Sequence, residues 1–537
     1  MLAAFCLLAI SWASAGLRAA EESPNATAAA AIPAPFPGQP VFKQRAFYLH
    51  CGWTFDYPFA PRSWRRADFD RMFAFLRRLG FETVMYWPQI EAIPAPLSES
   101  DAAELRNIRD TIGDARDKGL KCWFVETPNL ISPAEIAKKP FIERNPYRTY
   151  QTVRLDDPKQ AAAFFAHRTA MLKIVNNADA YVTIDGDPGG YAGAKPEDFL
   201  KVFVADRAAI DAHGTDPRRQ MVVPWIWAGW GARVPPWQDD PTPFTKETLS
   251  LLRQRLPEPW QLLLGRSHRE GAANGRVNIT VADKLDLIDR SMLLCYEAIE
   301  FEPTVPSAIL QFDHIRRILK DELRYAPKCA GVMGNAQQPL MVLPNIYLFA
   351  RGSWDPKYLD QSDEQVLRDF AEFLGGPADL LVPAWQCLAL PLERLPRDLP
   401  EKLRQAKLTS AAAGCLPGGP ERYLEILAAH AASHIGLLSA IDGPARDDAD
   451  CARRTAEGTA ALVTWWKMHH YVFDADQPQP FDWNFAYHDH VAKLRDWATR
   501  NARDKKAVEE FTTKNLSEFK VLTEVEAAAV TRDLFMQ

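Results

Sequence analysis

Two acids separated by one glycine stand at the end of an apolar run in YVTIDGDPGGY, residues 181–191. In an extended strand, side chains two residues apart point to the same side, so Asp185 and Asp187 would project together. Two carboxyl groups held close together raise the pKa of one of them, and the protonated group can then donate a proton. The Pro-Gly-Gly that follows carries little side-chain bulk, so a ligand could approach the backbone there.

The same segment also fits a structural interpretation, in which Asp187 accepts hydrogen bonds from loop N–H groups and the glycines turn the chain. A further acid, Glu297, follows the apolar run SMLLCY, and Glu126 ends the run LKCWFVE. A charge at the end of a buried run is expected to face a cleft. For both glutamates a salt bridge to an arginine of the core is the open alternative.

The elements that must position these acids alternate regularly along the chain. Each short apolar run between about residues 46 and 339 is followed by a helical pattern, which predicts parallel strands with helices outside. The count fits a (β/α)8 barrel, the α/β TIM-barrel class, and no glycine-rich dinucleotide loop follows the first run. The eight runs are 46–53, 81–87, 120–129, 180–187, 220–230, 260–266, 291–303 and 329–339.

The chain ends and the linker set the predicted domain organisation. Residues 1–20 hold an apolar run followed by Ala-Ser-Ala, which predicts a cleaved signal peptide and export to the periplasm or the outside. The usual basic start is absent, which leaves a misassigned start codon or a short anchor as alternatives. An Ala/Pro-rich linker is predicted over 21–40, the barrel over 41–355 and an α-helical C-terminal domain over 356–537.

The composition excludes some classes of binding partner. The 537 residues carry a net charge of -6 without a long basic run, which argues against a nucleic-acid partner. We expect no membrane span once the signal is removed, and the sequence does not predict an oligomeric state. Cys51, Cys122 and Cys295 lie in apolar runs and are predicted to be buried thiols. The chain has no CxxC pair and no His/Cys cluster, so no metal and no cofactor are predicted.

Barrel enzymes carry their chemistry at the carboxyl ends of the strands. In this chain those ends hold acids, amides and aromatic residues, with no lysine and no Ser/His arrangement. Cleavage of a glycosidic bond needs a proton donor and a second carboxylate, and aromatic faces bind sugar rings. We therefore predict Asp187 as general acid, Asp185 as its polarising partner and Glu297 as second carboxylate. The predicted substrate-binding residues are His50, Trp87, Glu126, Trp225, Trp227, Tyr296 and Asn335.

Longer segments carry a family resemblance: CGWTFDYPF, FLRRLGFETVMYWPQIE, ARDKGLKCWF and GNAQQPLMVLPNIYLFARGSWDP. Together with the paired acids, they resemble the hexosaminidase-like barrel glycosidases, glycoside hydrolase families 20 and 84, and the related α-glucuronidases of family 67. The resemblance implies that Asp185 orients the 2-acetamido group of the substrate and that Asp187 protonates the leaving group. The two acids are adjacent in families 20 and 84, whereas Gly186 separates them here. A direct displacement that uses Glu297, or a uronic acid substrate, therefore stays open.

The sequence thus predicts an exported glycoside hydrolase that acts from the chain end on a hexosaminide or a uronide. A carbohydrate-binding barrel that has lost catalysis is the alternative.

Overall fold

The structure is a computed structural model that describes residues 35–51, 57–144, 151–185, 195–227, 242–266, 277–300, 310–387, 395–469 and 485–506. The predicted signal peptide, most of the predicted linker and Asp187 lie outside these residues. Those predictions therefore stay predictions.

Eight parallel strands close into a barrel, which confirms the predicted (β/α)8 class. Around the barrel each strand pairs with its neighbour in chain order, and β1 pairs with both β2 and β8. The strands are β1 (Arg45–His50), β2 (Thr83–Trp87), β3 (Lys121–Glu126), β4 (Ala180–Ile184), β5 (Met221–Ile226), β6 (Leu262–Arg266), β7 (Ser291–Cys295) and β8 (Gly331–Ala336).

A helix follows each strand, as the helical patterns predict. These helices are α1 (Arg66–Arg78), α2 (Glu99–Asp117), α3 (Pro158–Ile174), α4 (Pro196–His213), α5 (Thr242–Arg255), α6 (Val277–Lys284), α7 (Phe312–Glu322) and α8 (Leu343–Trp354). Beyond β3, a two-residue strand Leu130–Ile131 pairs antiparallel with Gln151–Thr152.

Side chains alternate between two cores. One row of each strand fills the barrel interior, with Tyr48, Met85, Trp123 and Val182 among its buried members. The other row, such as Phe47 on β1, packs outward against the helices. Burying one large apolar side chain contributes about 1.5–3 kcal/mol, so these two layers stabilise the closed barrel.

The C-terminal helices pack in the same compact unit as the barrel. The backbone N–H of Gly418 donates to Asp68 of α1 at 3.0 Å, and Phe370 contacts Tyr347 of α8 with ring centroids 5.1 Å apart. The helices are α9 (Asp363–Leu374), α10 (Ala378–Gln386), α11 (Leu399–Gln405), α12 (Pro420–Ile441), α13 (Asp448–His469) and α14 (Phe485–Asn501).

Helix α12 is, among the described residues, the one helix long and apolar enough to cross a membrane, with a mean hydropathy of 1.4. Of its most apolar window, 56% is buried inside the protein, as expected for a core helix. Cys51, Cys122 and Cys295 are buried thiols, which confirms their prediction.

Barrel closure depends on a glycine at the seam between the first and last strands. A Cβ atom on Gly331 would overlap the carbonyl oxygen of Gln44, which accepts the N–H of Val332. We expect Gly331→Ala to lower the free energy of unfolding by about 2 kcal/mol, because the backbone of the seam must move. Urea denaturation measures this change. Gly414→Ala is the control, since a Cβ there meets nothing within 4 Å. Equal stability of the two variants would contradict the prediction.

Candidate active site

Five of the predicted binding residues carry aromatic rings, and these rings contact one another at the carboxyl ends of the strands. His50 and Trp87 have ring centroids 5.3 Å apart, and Trp87 lies 6.2 Å from Trp225. Trp225 lies 5.8 Å from Trp227, which meets Tyr296 edge-on at 4.6 Å. We call these five residues the aromatic cluster. They come from β1, β2 and β5 and from the turns after β5 and β7, so the barrel joins positions far apart in sequence.

Strand alternation explains why these rings meet. His50 pairs in register with Trp87, and both continue the inward rows of their strands. Trp225 and Trp227 are two residues apart on the same row. Gly265 of β6 leaves room for them, because a Cβ at that position would lie 2.5 Å from the indole of Trp227.

The rings of the cluster differ in exposure. Trp87 and Trp225 are buried, whereas Trp227 is half-buried and therefore presents part of its surface to solvent. The indoles of Trp87 and Trp225 are therefore part of the packed core. Trp227 is the ring of the cluster that a ligand can reach without a rearrangement of the core.

His50 is held as a neutral imidazole. Burial lowers the pKa of His50 to about 3, so at neutral pH the ring is uncharged and holds a single N–H proton. That state agrees with a hydrogen-bonding or packing role and excludes a cationic general acid at this position.

Asp185 ties β4 to β5 at the rim. Strand β4 ends at Ile184, which faces the interior, and the buried Asp185 follows it. Its carboxylate Oδ1 accepts the N–H of Trp227 at 3.0 Å, and its own N–H donates to the carbonyl of Trp225 at 3.0 Å. Asp185 therefore fixes the backbone that carries Trp227. Asp187 lies outside the described residues, so the predicted side-by-side geometry of the two acids stays a prediction.

Glu297 occupies a strained backbone conformation. It is buried and has φ 58°, in the left-handed region that costs a residue with a side chain about 1–2 kcal/mol. Its N–H donates to the side-chain oxygen of Asn335 at 2.8 Å, and this bond joins the turn after β7 to β8. Two predicted site residues are thus brought into direct contact, with Asn335 orienting the backbone of Glu297.

A third acid at this rim, Glu300, is not among the predicted site residues. Its Oε2 accepts the N–H groups of Gln337 at 2.9 Å and Gln338 at 2.8 Å. These bonds occupy donors that the barrel ladder leaves unused where β8 ends. Glu300 follows Glu297 in the sequence, but only the neighbouring strand shows what it binds.

Glu126 lies apart from the aromatic cluster. It belongs to the outward row of β3, and its Oε2 is 3.4 Å from Nη1 of Arg168 on α3. Arg168 also bonds Asp206 of α4 at 2.6 and 2.9 Å. Glu126 therefore lies beside a buried ion pair of Arg168 and Asp206, between β3 and the helices.

Burial raises the pKa of Glu126 to about 8, and Arg168 lowers it only in part. The reason is geometric: Asp206 takes two short bonds from Arg168, whereas Glu126 has one contact at 3.4 Å. A second buried acid, Glu91, adds to the negative charge. Its Oε1 accepts the N–H of Thr127 at 2.6 Å, and burial raises its pKa as well. Arg168 thus compensates the charge of several carboxyl groups only in part, and among them the carboxyl group of Glu126 keeps its proton.

No group of three or more His, Cys, Asp or Glu residues that could hold a metal lies within the described part of the chain.

The raised pKa of Glu126 predicts a pH dependence of stability. The folded chain holds this proton up to a pKa of about 8, whereas the ordinary value is 4.5, so stability falls as pH rises through that window. Glu126→Gln keeps the neutral shape and should reduce the loss of stability between about pH 6 and about pH 9. Urea denaturation at the two pH values measures it. An unchanged pH slope in the variant would show that Glu126 is ionised in the folded chain.

Gly265 predicts a packing effect on the indoles. In Gly265→Ala the methyl group would lie 2.5 Å from Trp227 and 3.2 Å from Nε1 of Trp225, so the rings must shift. We expect a changed near-ultraviolet circular dichroism spectrum. Gly113→Ala in α2 is the control, because its Cβ meets nothing closer than 3.9 Å. Identical spectra of the Gly265 variant and the parent chain would contradict this packing of Gly265 against the two indoles.

The chain matches no protein-family model and no curated protein. Among solved structures, it is similar to a mutant of the O-GlcNAc hydrolase of Thermobaculum terrenum, with 11% identity, a TM-score of 0.43, and coverage of 93% of this chain and 94% of that one. The protein CpGH84B has 12% identity and a TM-score of 0.40, over 89% of this chain and 77% of its own. Proteins this distant can share a framework and differ in reaction, so function has to be argued from the site residues.

Proposed function

We propose that the protein is a glycoside hydrolase. The observation that supports this proposal is that the half-buried Trp227 and the buried acids Asp185 and Glu297 all follow the carboxyl ends of barrel strands, where Asp185 accepts the N–H of Trp227. A partly exposed indole offers an apolar face to a sugar ring, and the two acids follow β4 and β7, which lie on either side of β5 in the barrel. This combination of an aromatic platform and carboxyl groups is what cleavage of a glycosidic bond requires.

The proposed roles keep the division of labour predicted from the sequence. Asp187 protonates the leaving oxygen, Asp185 orients and polarises, and Glu297 acts at the anomeric carbon or binds the substrate. The bond from Trp227 N–H to Asp185 supports a positioning role for Asp185, since one of its oxygens is already engaged. The strained backbone of Glu297 supports a functional role, because such strain is often kept at active sites.

The substrate and the compartment belong to the same proposal. A hexosaminide or a uronide, cleaved from the chain end, is the substrate class that the resemblance of the sequence implies. Export rests on the apolar N-terminal run followed by Ala-Ser-Ala.

A carbohydrate-binding barrel without catalysis is the second candidate. This candidate is favoured by the hydrogen bonds of the rim acids, because Asp185 and Glu300 accept backbone N–H groups and so stabilise the strand ends. A rim whose acids only hold strand ends would bind a sugar through its rings and amides and would not cleave it.

The deciding prediction concerns Asp187→Asn. We expect the mature chain to hydrolyse one aryl glycoside among those of β-GlcNAc, β-GalNAc, α-glucuronic acid and neutral hexoses. The variant should lose at least about 100-fold in kcat, because general acid catalysis contributes that much or more. Release of the aryl group measures the rate. Asp379→Asn on α10 is the matched control, since its side chain is 90% exposed and pairs with Arg368 of the C-terminal helix α9.

Full activity of Asp187→Asn on a glycoside that the parent chain cleaves would refute the role of Asp187. If no glycoside is cleaved but a sugar still binds, the non-catalytic barrel is the better description.

A further inference from the structure

Three buried glutamines at the rim have unsatisfied side-chain amides. Gln89, Gln337 and Gln338 are each 1% exposed. Neither the oxygen nor the nitrogen of the Gln89 side chain has a hydrogen-bond partner within the described part of the chain, and the same holds for Oε1 of Gln337 and Nε2 of Gln338.

Such groups are costly in a folded protein. A buried polar atom without a partner costs about 1–3 kcal/mol, and folded proteins keep few of them. Gln220, buried at the opposite end of the barrel, shows the usual arrangement. Its Nε2 donates to the carbonyls of Asn176 at 2.8 Å and Ala178 at 2.7 Å, and its Oε1 accepts the N–H of Asp216 at 3.1 Å. The chain therefore contains buried glutamines that serve the fold and others that do not.

The three rim glutamines flank one strand end. Strand β1 lies between β2 and β8, where Leu49 pairs with Ala336 and His50 pairs with Trp87. Gln337 and Gln338 follow Ala336, and Gln89 stands two residues after Trp87. The ends of β2 and β8 are two strand spacings apart, about 10 Å, which the long glutamine side chains can bridge. The glutamines thus follow the two strands that pair with β1, and β1 ends in His50 of the aromatic cluster.

The backbones of the three glutamines are held in place, whereas their side-chain amides have unsatisfied atoms. The N–H groups of Gln337 and Gln338 donate to Glu300. Gln89 adopts φ 60° in the left-handed region, a second strained residue at this rim beside Glu297. A fixed backbone with an unsatisfied side chain is the arrangement that pre-organises a group for a ligand.

We propose that Gln89, Gln337 and Gln338 form a subsite for uncharged hydroxyl-bearing parts of a sugar. This inference rests on the proposed function and narrows its substrate class. The unsatisfied atoms are two acceptors and two donors. A hydroxyl group donates and accepts, so neighbouring hydroxyls can satisfy both kinds. A carboxylate only accepts and would leave the amide oxygens unpaired. The subsite therefore selects a neutral sugar or a hexosaminide over a uronide whose carboxylate would enter it.

The test separates binding from both folding and catalysis. Calorimetric titration would use the methyl glycosides of N-acetylglucosamine, glucose and glucuronic acid on the parent chain and on Gln89→Met. We expect a neutral glycoside to bind more tightly than the glucuronide, and Gln89→Met to weaken it about tenfold. The urea midpoint of Gln89→Met should stay unchanged or rise, because the substitution removes no hydrogen bond of the folded protein. Gln220→Met, the matched control, should lower the midpoint and keep the affinity.

Gln89→Asn is a second variant in case methionine disturbs the turn. Asparagine tolerates the left-handed backbone and withdraws the amide by one methylene, so it should also weaken binding. Equal affinity of these variants and the parent, preference for the glucuronide, or no binding of any glycoside would overturn the inference. Binding that depends on Gln89 without hydrolysis of any aryl glycoside would support the subsite and refute the proposed enzyme activity.

Discussion

Closure of eight parallel strands into a ring is the constraint on which the candidate site depends. Once β1 pairs with both β2 and β8, each strand must turn alternate side chains inward, and all carboxyl ends meet at one rim. His50, Trp87 and Trp225 then have to converge, although more than a hundred residues separate the first from the last. Gly331 at the seam and Gly265 beside the indoles are the places where closure and convergence leave no room for a side chain.

Where the strands stop, backbone N–H groups lose their ladder partners, and acidic side chains take over. Asp185 accepts from the end of β5, and Glu300 accepts from the end of β8. Asn335 does the same for the turn that holds Glu297. The polar groups of this rim therefore carry two duties at once, because the acids that could work on a substrate also keep the loops in place.

Buried charge is handled differently below the rim. Arg168 joins α3 to β4 and α4 by bonding Thr183 and Asp206, with Glu126 close by. Because one guanidinium cannot compensate every carboxyl group around it, burial leaves Glu126 protonated. The rim glutamines are buried polar groups without charge. Their unsatisfied amides mark where a ligand could supply the hydrogen bonds that the protein does not.

The sequence by itself determined the alternation of apolar runs and helices, and hence the barrel, because hydrophobic periodicity is a local property. It also pointed to the strand ends as the place for acids and aromatic rings. Only the tertiary structure decided what each polar side chain meets. Glu126 and Glu297 both end apolar runs, yet Glu126 faces Arg168 outside the barrel and Glu297 sits at the rim on Asn335. The reason is physical: hydrogen bonds and burial depend on neighbouring strands, which lie far away in the chain.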